Sequence, residues 1–485
     1  MALKLKGDIE INDVMSVKAK ALKVNLNKHT YGTFAEIGAG QETVRNFFRA
    51  GGASGTIAKA MSAYDKDFSD AIYGAGEDSR YVTEKRLKKM LTYEMEVIEE
   101  RLSRSKHPDK MFFTYANTVT TIDFVKKFKG HGWVGIKFQL DPLEDYNEII
   151  LHVRFKETDA KLQQETLGIL GVNLVYGAFY LNNKPKELLK SLYDNLHRVQ
   201  IELDMINFSG PRFSYVDNRL MSLLLVKNGF TNAVMFGPDG NNLLPAQQLY
   251  KANILALRGS FRPVTKVNMD MYQLAQEMFL KEKKVKKENT KIIFEITLTN
   301  LSSEGGEIDE RDFLDRAELL CSLGQNVIIS NFQEYYKLVE YFSEYTKERA
   351  ALAMGVHSFV QIFDEKYYRS LSGGILEAFG KLFYKDLKVY LYPLKDEKTG
   401  EIKTSENLKV HPRMKELYKF FKYNGKVVDI KDYNPKILDV FSRKVLNMIS
   451  NGEHGWEEML PSGIAETIKD ERLFGYSRRK FLKND

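Results

Sequence analysis

Cysteine is nearly absent from this chain of 485 residues, and the one present, Cys321, can neither close an internal disulfide nor build a cysteine-based zinc site. It lies in the apolar run "AELLCSLG", which reads as a place for a buried structural thiol, so a reducing, cytoplasmic setting is expected. Long hydrophobic runs are also missing. The longest, "TLGILGVNLVYGAFYL" from Thr166 to Leu181, is shorter than a bilayer-spanning helix requires and carries Asn173 at its middle. It reads as a buried helix in which Gly168, Gly171 and Gly177 let a neighbouring element approach closely, and no membrane association is expected. The charged N-terminal stretch "MALKLKGDIEINDV" has no apolar segment of the kind a secretion signal needs.

An excess of one charge is lacking as well. The net charge of +7 is a small difference between 72 basic and 65 acidic residues. That mixture offers no basic stripe for nucleic acid. The densest basic run, "KEKKVKKENTK" from Lys281 to Lys291, has no interleaved aromatics and reads as a solvated linker or helix end. Several catalytic motifs are absent too: no G-x-x-x-x-G-K-[ST], no H-E-x-x-H, no G-x-S-x-G and no histidine pair at metal-ligand spacing. P-loop ATP hydrolysis and ordinary serine hydrolase chemistry are thereby disfavoured.

What is present is an ordinary globular composition, 43% apolar and 12% aromatic, in a chain long enough for two or three domains. "GTFAEIGAG" and "MFFTYANTV" read as strands, with the helical spacing of "VTEKRLKKMLTYEMEVIEERL" between them. "GWVGIKFQL" and "NEIILHVRF" alternate at period 2 around "DPLEDYN", an antiparallel hairpin. A glycine-rich helix, "KELLKSLYDNL", the strand "RVQIELDMI", the helix "DNRLMSLLLVKNG" and the strands "TNAVMFGPDG" and "ILALRG" follow. From "KIIFEITLTNL" onward strand and helix alternate more regularly, the signature of a wound parallel sheet. The expected architecture is therefore α/β in two domains, with a mixed sheet in the N-terminal half and a mostly parallel wound sheet in the C-terminal half. The composition shift places a mixed domain at 1–280, a charged linker at 281–291 and an alternating domain at 292–485.

Five groups of residues are candidates for chemistry. In "EIGAGQE", Gly38 and Gly40 separate the strand-end Glu36 from a helix starting near Gln41 or Glu42, and backbone N–H groups there suit a phosphate or carboxylate. The second cluster adds Gly51, Gly52, Ser54 and Gly55 before another helix, with Arg49 and Lys59 nearby as basic partners for an anion. In "RVQIELDMI", alternation sends Glu202 and Asp204 to one strand face, where two carboxylates can hold a divalent cation such as magnesium or act as acid and base. "LHVRF" puts His152 beside Arg154 on one face, so that His152 could move protons while Arg258 and Arg262 of "LRGSFRPVT" clamp an anionic substrate. In the second half, Ser330 and Asn331, His357, and Gly373 with Gly374 end strands or open helices on one possible rim.

The runs "GTFAEIGAGQETVRNFFRAGGASGTIAKAMSAYDKDFSDAIYG", "VDNRLMSLLLVKNG", "RGSFRPVT", "SNFQEYYKLVEYFSEYT" and "GGILEAFGKLF" resemble a widespread bacterial family of uncharacterised cytoplasmic proteins. Its members carry labels such as nicotinate-nucleotide adenylyltransferase or TonB-dependent receptor. Neither label transfers to these residues: "KHTYG" supplies His29 and Gly32 but not the second histidine of an H-x-G-H-like motif, and the strands lack barrel alternation. The resemblance implies no residue roles.

Together the residues lead to the expectation of a cytoplasmic enzyme that binds a nucleotide or another small phosphorylated ligand in an interdomain cleft, with group transfer as its chemistry. The alternative is a non-catalytic homo-oligomer or scaffold, for which the 26 tyrosines and 30 phenylalanines would supply interfaces.

Overall fold

The computed structural model describes residues 14–75, 80–102, 104–125, 129–301 and 308–477. The N-terminal stretch considered above as a secretion signal lies, up to residue 13, outside them. The chain forms two compact units, Met1–Thr231 and Asn232–Asp485.

The first unit runs α1 (Val17–Asn25), β1 (Thr30–Gly38), α2 (Glu42–Ala50), β2 (Ile57–Ala63), α3 (Lys66–Tyr73), α4 (Glu84–Arg101), β3 (Met111–Thr120), β4 (His131–Phe138), β5 (Asn147–Phe155), α5 (Ala160–Tyr180), α6 (Pro185–Ser191), β6 (Ile201–Ser209) and α7 (Asn218–Lys227). Its sheet has the order β2-β1-β3-β4-β5-β6. β2, β1 and β3 are parallel, and β3 to β6 are antiparallel neighbours, so the hairpin read from period 2 is β4–β5. Helices start where side chains replace the missing backbone partners: Thr83, Asp159 and Asp217 accept from the first turns of α4, α5 and α7. β3 is buried almost throughout, because α4 packs directly on this part of the sheet and α5 on the neighbouring β4. In α5 the small residues do what their spacing suggests. A Cβ on Gly168 or Gly171 would run into Glu42 and Thr43 of α2, and Asn173 holds the buried Lys20 Nζ of α1 at 2.8 Å.

The second unit runs β7 (Ala233–Phe236), β8 (Asn242–Leu243), α8 (Pro245–Gln248), β9 (Asn253–Arg258), α9 (Lys266–Leu280), β10 (Thr290–Thr297), α10 (Leu298–Leu301), α11 (Glu310–Ser322), β11 (Asn326–Ser330), α12 (Tyr335–Tyr345), β12 (Ala350–Gly355), α13 (Val356–Gln361), α14 (Gly374–Leu382), β13 (Lys388–Tyr392), the small ribbon β14 (Leu394–Lys395) and β15 (Ile402–Lys403), α15 (Lys415–Tyr423), β16 (Val427–Asp429), α16 (Ser442–Asn451) and α17 (Ile464–Glu471). Its main sheet has the order β16-β13-β12-β9-β10-β11-β7-β8. The six strands from β16 to β11 are parallel, and β7 and β8 form an antiparallel edge. From β9 the chain winds outward through β10 and β11, then returns to β12 on the other side and winds outward again. That is a doubly wound sheet with its reversal between β9 and β12. An apolar cluster on it gathers Ile254, Ile328, Leu352, Phe359, Phe379, Val389 and Phe421.

The two-domain α/β plan with a mixed first sheet and a mostly parallel second one is what the alternation of elements predicted. The boundary is a correction. The lysine-rich run at 281–291 does not separate domains: β9 and β10 pair in parallel across it, so it is the exposed return of one crossover. Solvation of that return produced the composition shift, whereas the division at Thr231/Asn232 carries no such mark in composition.

Candidate functional site

The residues that the structure brings together most tightly lie at one end of the first sheet. On β5, His152 is opposite Met205 and Arg154 is opposite Glu202, with an irregularity between His152 and Val153 that leaves Asp204 as an extra residue on β6. That bulge sets the Asp204 carboxylate against His152: Oδ1 lies 2.5 Å from Nδ1, with the two side chains 4% and 2% exposed. His152 Nε2 in turn lies 3.3 Å from Nδ1 of His131, the first residue of β4, which is only partly buried. The Trp133 ring packs edge-on to His152 with centroids 4.9 Å apart.

The hydrogen-bond roles follow from the acceptor at the inner end. Asp204 accepts, so His152 carries its proton on Nδ1 and offers a lone pair at Nε2. His131 donates to it from Nδ1 and keeps a lone pair on its own Nε2. Burial, with the nearby Arg154 charge acting in the same direction and Asp204 against it, pushes the His131 pKa down to about 4. The imidazole at the outer end of this line is neutral at pH 7. The second oxygen of Asp204, Oδ2, is buried without a hydrogen-bond partner.

Glu202 and Asp204 share a strand face as alternation requires, but the face is buried and the two carboxylates have separate partners. Thr231 Oγ1 donates to Glu202 Oε1 at 2.6 Å, and Arg154 Nη1 lies 3.8 Å from Oε2. Among the described residues no group of three or more His, Cys, Asp or Glu side chains is placed to hold a metal ion. His131 was not singled out by sequence reasoning. Its signal was there: across the β4–β5 hairpin it is the direct partner of Arg154, on the same face as His152.

The glycine clusters have a different setting from the one expected. Gly38, at φ +81°, and Gly40 sit so close to Val119 O and the Asn117 side chain that a Cβ would overlap them. The start of α2 is occupied by the chain's own carboxyl: the Val44 N–H donates to Glu36, which is 2% exposed and whose pKa burial pushes up to about 8. A carboxyl group thus stands where a phosphate was expected. Thr43 Oγ1, 3.1 Å from Tyr115 OH, and Asn117 complete a buried polar patch beside it. Gly51 and Gly52 lead into a short 3-10 turn that contains Ser54 and Gly55, and the edge strand β2 follows it, not a helix. Of the basic groups assigned to that cluster, Arg49 lies 3.7 Å from Glu42 and Lys59 is ion-paired with the buried Glu94. A cavity of about 570 Å³ lies elsewhere in this unit, lined among others by Leu22 and Lys23 of α1, Leu26 just after it, and Tyr180 of α5.

In the second unit Arg258 ends β9 and Arg262 follows it, but each already holds a carboxylate. Arg258 meets the fully buried Glu295 through two bonds of 2.7 and 2.8 Å, stacks on Tyr335 and donates to Gln333 O. Ser330 Oγ donates to the same Glu295 at 2.6 Å. Arg262 lies 2.5 Å from Asp312, which also pairs with the buried Arg316. Asn331 bonds Asn232 at 3.1 Å, His357 is exposed on α13 beside Gln361, and the Gly373 N–H donates to Glu377 of its own helix while Gly374, at φ +54°, opens that helix. Arg258, Ser330, Asn331 and His357 lie at or just beyond the carboxyl ends of parallel strands, whereas Gly373 and Gly374 follow no strand directly.

No family model and no curated protein matches the chain. Among solved structures, a competence-damaged protein (CinA) superfamily member from Enterobacter cloacae aligns with 11% identity over 37% of this chain and 98% of its own, at a TM-score of 0.27. A competence/damage inducible protein from Agrobacterium tumefaciens aligns with 14% identity over 33% of this chain and 93% of its own, at 0.23. A CinA superfamily protein from Escherichia coli aligns with 13% identity over 34% and 94%, also at 0.23. At these scores the likenesses carry no inference about fold or function.

Proposed function

We propose that the protein is an enzyme of group transfer on a phosphorylated ligand, with Asp204, His152 and His131 as its proton-handling centre. One observation carries this reading: a line of hydrogen bonds from a buried carboxylate, through a buried imidazole, to a second imidazole that reaches solvent. In that order His131 Nε2 takes the proton of an attacking hydroxyl or water. The positive charge that develops is shared with His152 and compensated by Asp204. Arg154, the partner of His131 across the hairpin, is the cation assigned in this reading to hold an anionic group. The lone buried thiol supports a cytoplasmic setting.

The test is turnover of a panel of nucleotides, sugar phosphates and phosphate esters, with and without magnesium, by the natural protein and by His131→Asn. The expectation is one class of substrate turned over and a rate lowered by about 10²–10⁴-fold in the variant. No turnover anywhere, or equal rates for both proteins, defeats the reading and favours the non-catalytic homo-oligomer instead.

A second reading has its own support in the second unit, whose parallel strands reverse direction of winding between β9 and β12. Nucleotides bind outside the carboxyl ends of strands at such reversals. Thermal stabilisation by one nucleotide class, abolished by a bulky side chain at Gly355, is the outcome that favours it, because a Cβ there meets open space.

A further inference from the structure

A second, independent feature sits at the opposite edge of the doubly wound sheet, at the amino ends of its strands. A cavity of about 370 Å³ is lined there by Lys284, Lys347, Glu348, Arg349, Lys385 and Asp386. Lys284 comes from the return between α9 and β10, Lys347 and Arg349 directly precede β12, and Lys385 and Asp386 directly precede β13. Three crossovers of the fold therefore converge on it.

The lining carries four positive and two negative side chains, and the negative ones do not neutralise it. Asp386 is held by Arg349 at 3.3 Å and by Lys426 at 2.6 Å. Among the described residues, Lys284, Lys347 and Lys385 have no carboxylate partner. Three lysines without an ion-pair partner thus line one depression, and Glu348, the other carboxylate of the lining, leaves them an excess of positive charge. The backbone is strained at the same place. Lys284, Lys385 and Asp386 have φ of +73°, +48° and +65°, in the left-handed region that side-chain-bearing residues rarely enter. Half of the lining positions are held in this conformation.

We propose that this cavity binds a small polyphosphate anion. Lysine is a flexible point charge that suits charge spread over several phosphate groups, whereas a single planar carboxylate is matched by a free arginine fork, and Arg349 is engaged by Asp386. The cavity lies at the low end of the range of small-molecule sites, a size that accommodates a chain of two or three phosphates. Its place at the amino ends of the strands makes it a site apart from the rim formed by their carboxyl ends.

The test is isothermal titration calorimetry of the full chain with inorganic triphosphate at about 0.15 M salt, where long-range attraction between exposed charges is largely screened. The natural protein is expected to bind one equivalent, and Lys284→Ala with Lys347→Ala to bind about a hundredfold more weakly, tenfold for each charge-assisted bond lost. Unchanged circular dichroism certifies the fold of the double variant. Lys161→Ala, at a lysine 82% exposed on α5, is the control and is expected to bind as the natural protein does. Absence of binding, equal binding of sulfate, or equal affinity in the double variant overturns the proposal, as does an equal loss in the Lys161 control. His131→Asn is expected to bind triphosphate normally, so this site and the proton-handling centre stand or fall separately.

Discussion

Asp204 Oδ1 lies 2.5 Å from His152 Nδ1 on neighbouring strands, and each side chain is almost wholly removed from water. A carboxylate in that position depends on its partner. Replacing His152 by leucine strands Asp204, whose other oxygen already lacks a bond, and is expected to cost about 3–5 kcal/mol. Asp204→Asn keeps shape and most hydrogen bonding and is expected to cost about 1–3 kcal/mol. In urea denaturation the double variant is expected to be more stable than the sum of the two losses predicts.

Arg258 and Glu295 provide the corresponding test in the second unit. If Arg258 is a structural partner of Glu295, Arg258→Ala leaves a fully buried carboxylate unpaired and is expected to lower stability by about 3–5 kcal/mol. Lysine at this position cannot reproduce the two-pronged contact and is expected to recover only part of the loss. A stability within about 0.5 kcal/mol of the natural protein would return Arg258 to the role of a ligand clamp.

The first glycine region yields a graded series. Gly38→Ala meets both a positive φ and the Val119 carbonyl, so it is expected to be the most damaging. Gly51→Ala, at φ +88° and ψ 167° but in open space, costs the backbone strain alone, about 1–3 kcal/mol. Gly55→Ala meets no neighbour and has no positive φ, and is expected to be neutral. Equal melting temperatures for all three would contradict the described loop.

Much of this was legible in the sequence. Period-2 alternation gave β4 and β5, helical spacing gave α4 and α5, and the small residues of α5 announced the close approach of α2. His152, Asp204 and Glu202 were recognisable as chemistry-bearing residues on strand faces. Their meeting was not, because it depends on the register of three strands and on one extra residue in β6. The anion loop misled because Gly-x-Gly before a helix looks the same whether a ligand or Glu36 fills the helix start. The domain boundary misled because a solvated crossover return has the composition of a linker.

Two groups give stability opposite dependences on pH. Glu36 has its pKa raised to about 8 by burial, so the folded state keeps a proton that the unfolded chain has lost; its contribution is full below the ordinary carboxyl range and disappears as pH rises through about 8. His131 has its pKa lowered to about 4, so the unfolded chain takes up a proton that the folded state refuses. Stability therefore falls as pH drops from the ordinary imidazole range toward 4. Glu36→Gln is expected to remove the alkaline slope and leave the acid one, and His131→Asn the reverse, as read from urea midpoints between pH 4 and pH 8.

The most direct measurement is a histidine nitrogen NMR titration of the natural protein. The account predicts that His152 carries its proton on Nδ1, and that His131 carries its own on Nδ1 and stays neutral down to about pH 4. A His131 that titrates near 6.5, as a free imidazole does, or a His152 protonated on Nε2, would contradict the line of hydrogen bonds on which the proposed activity rests.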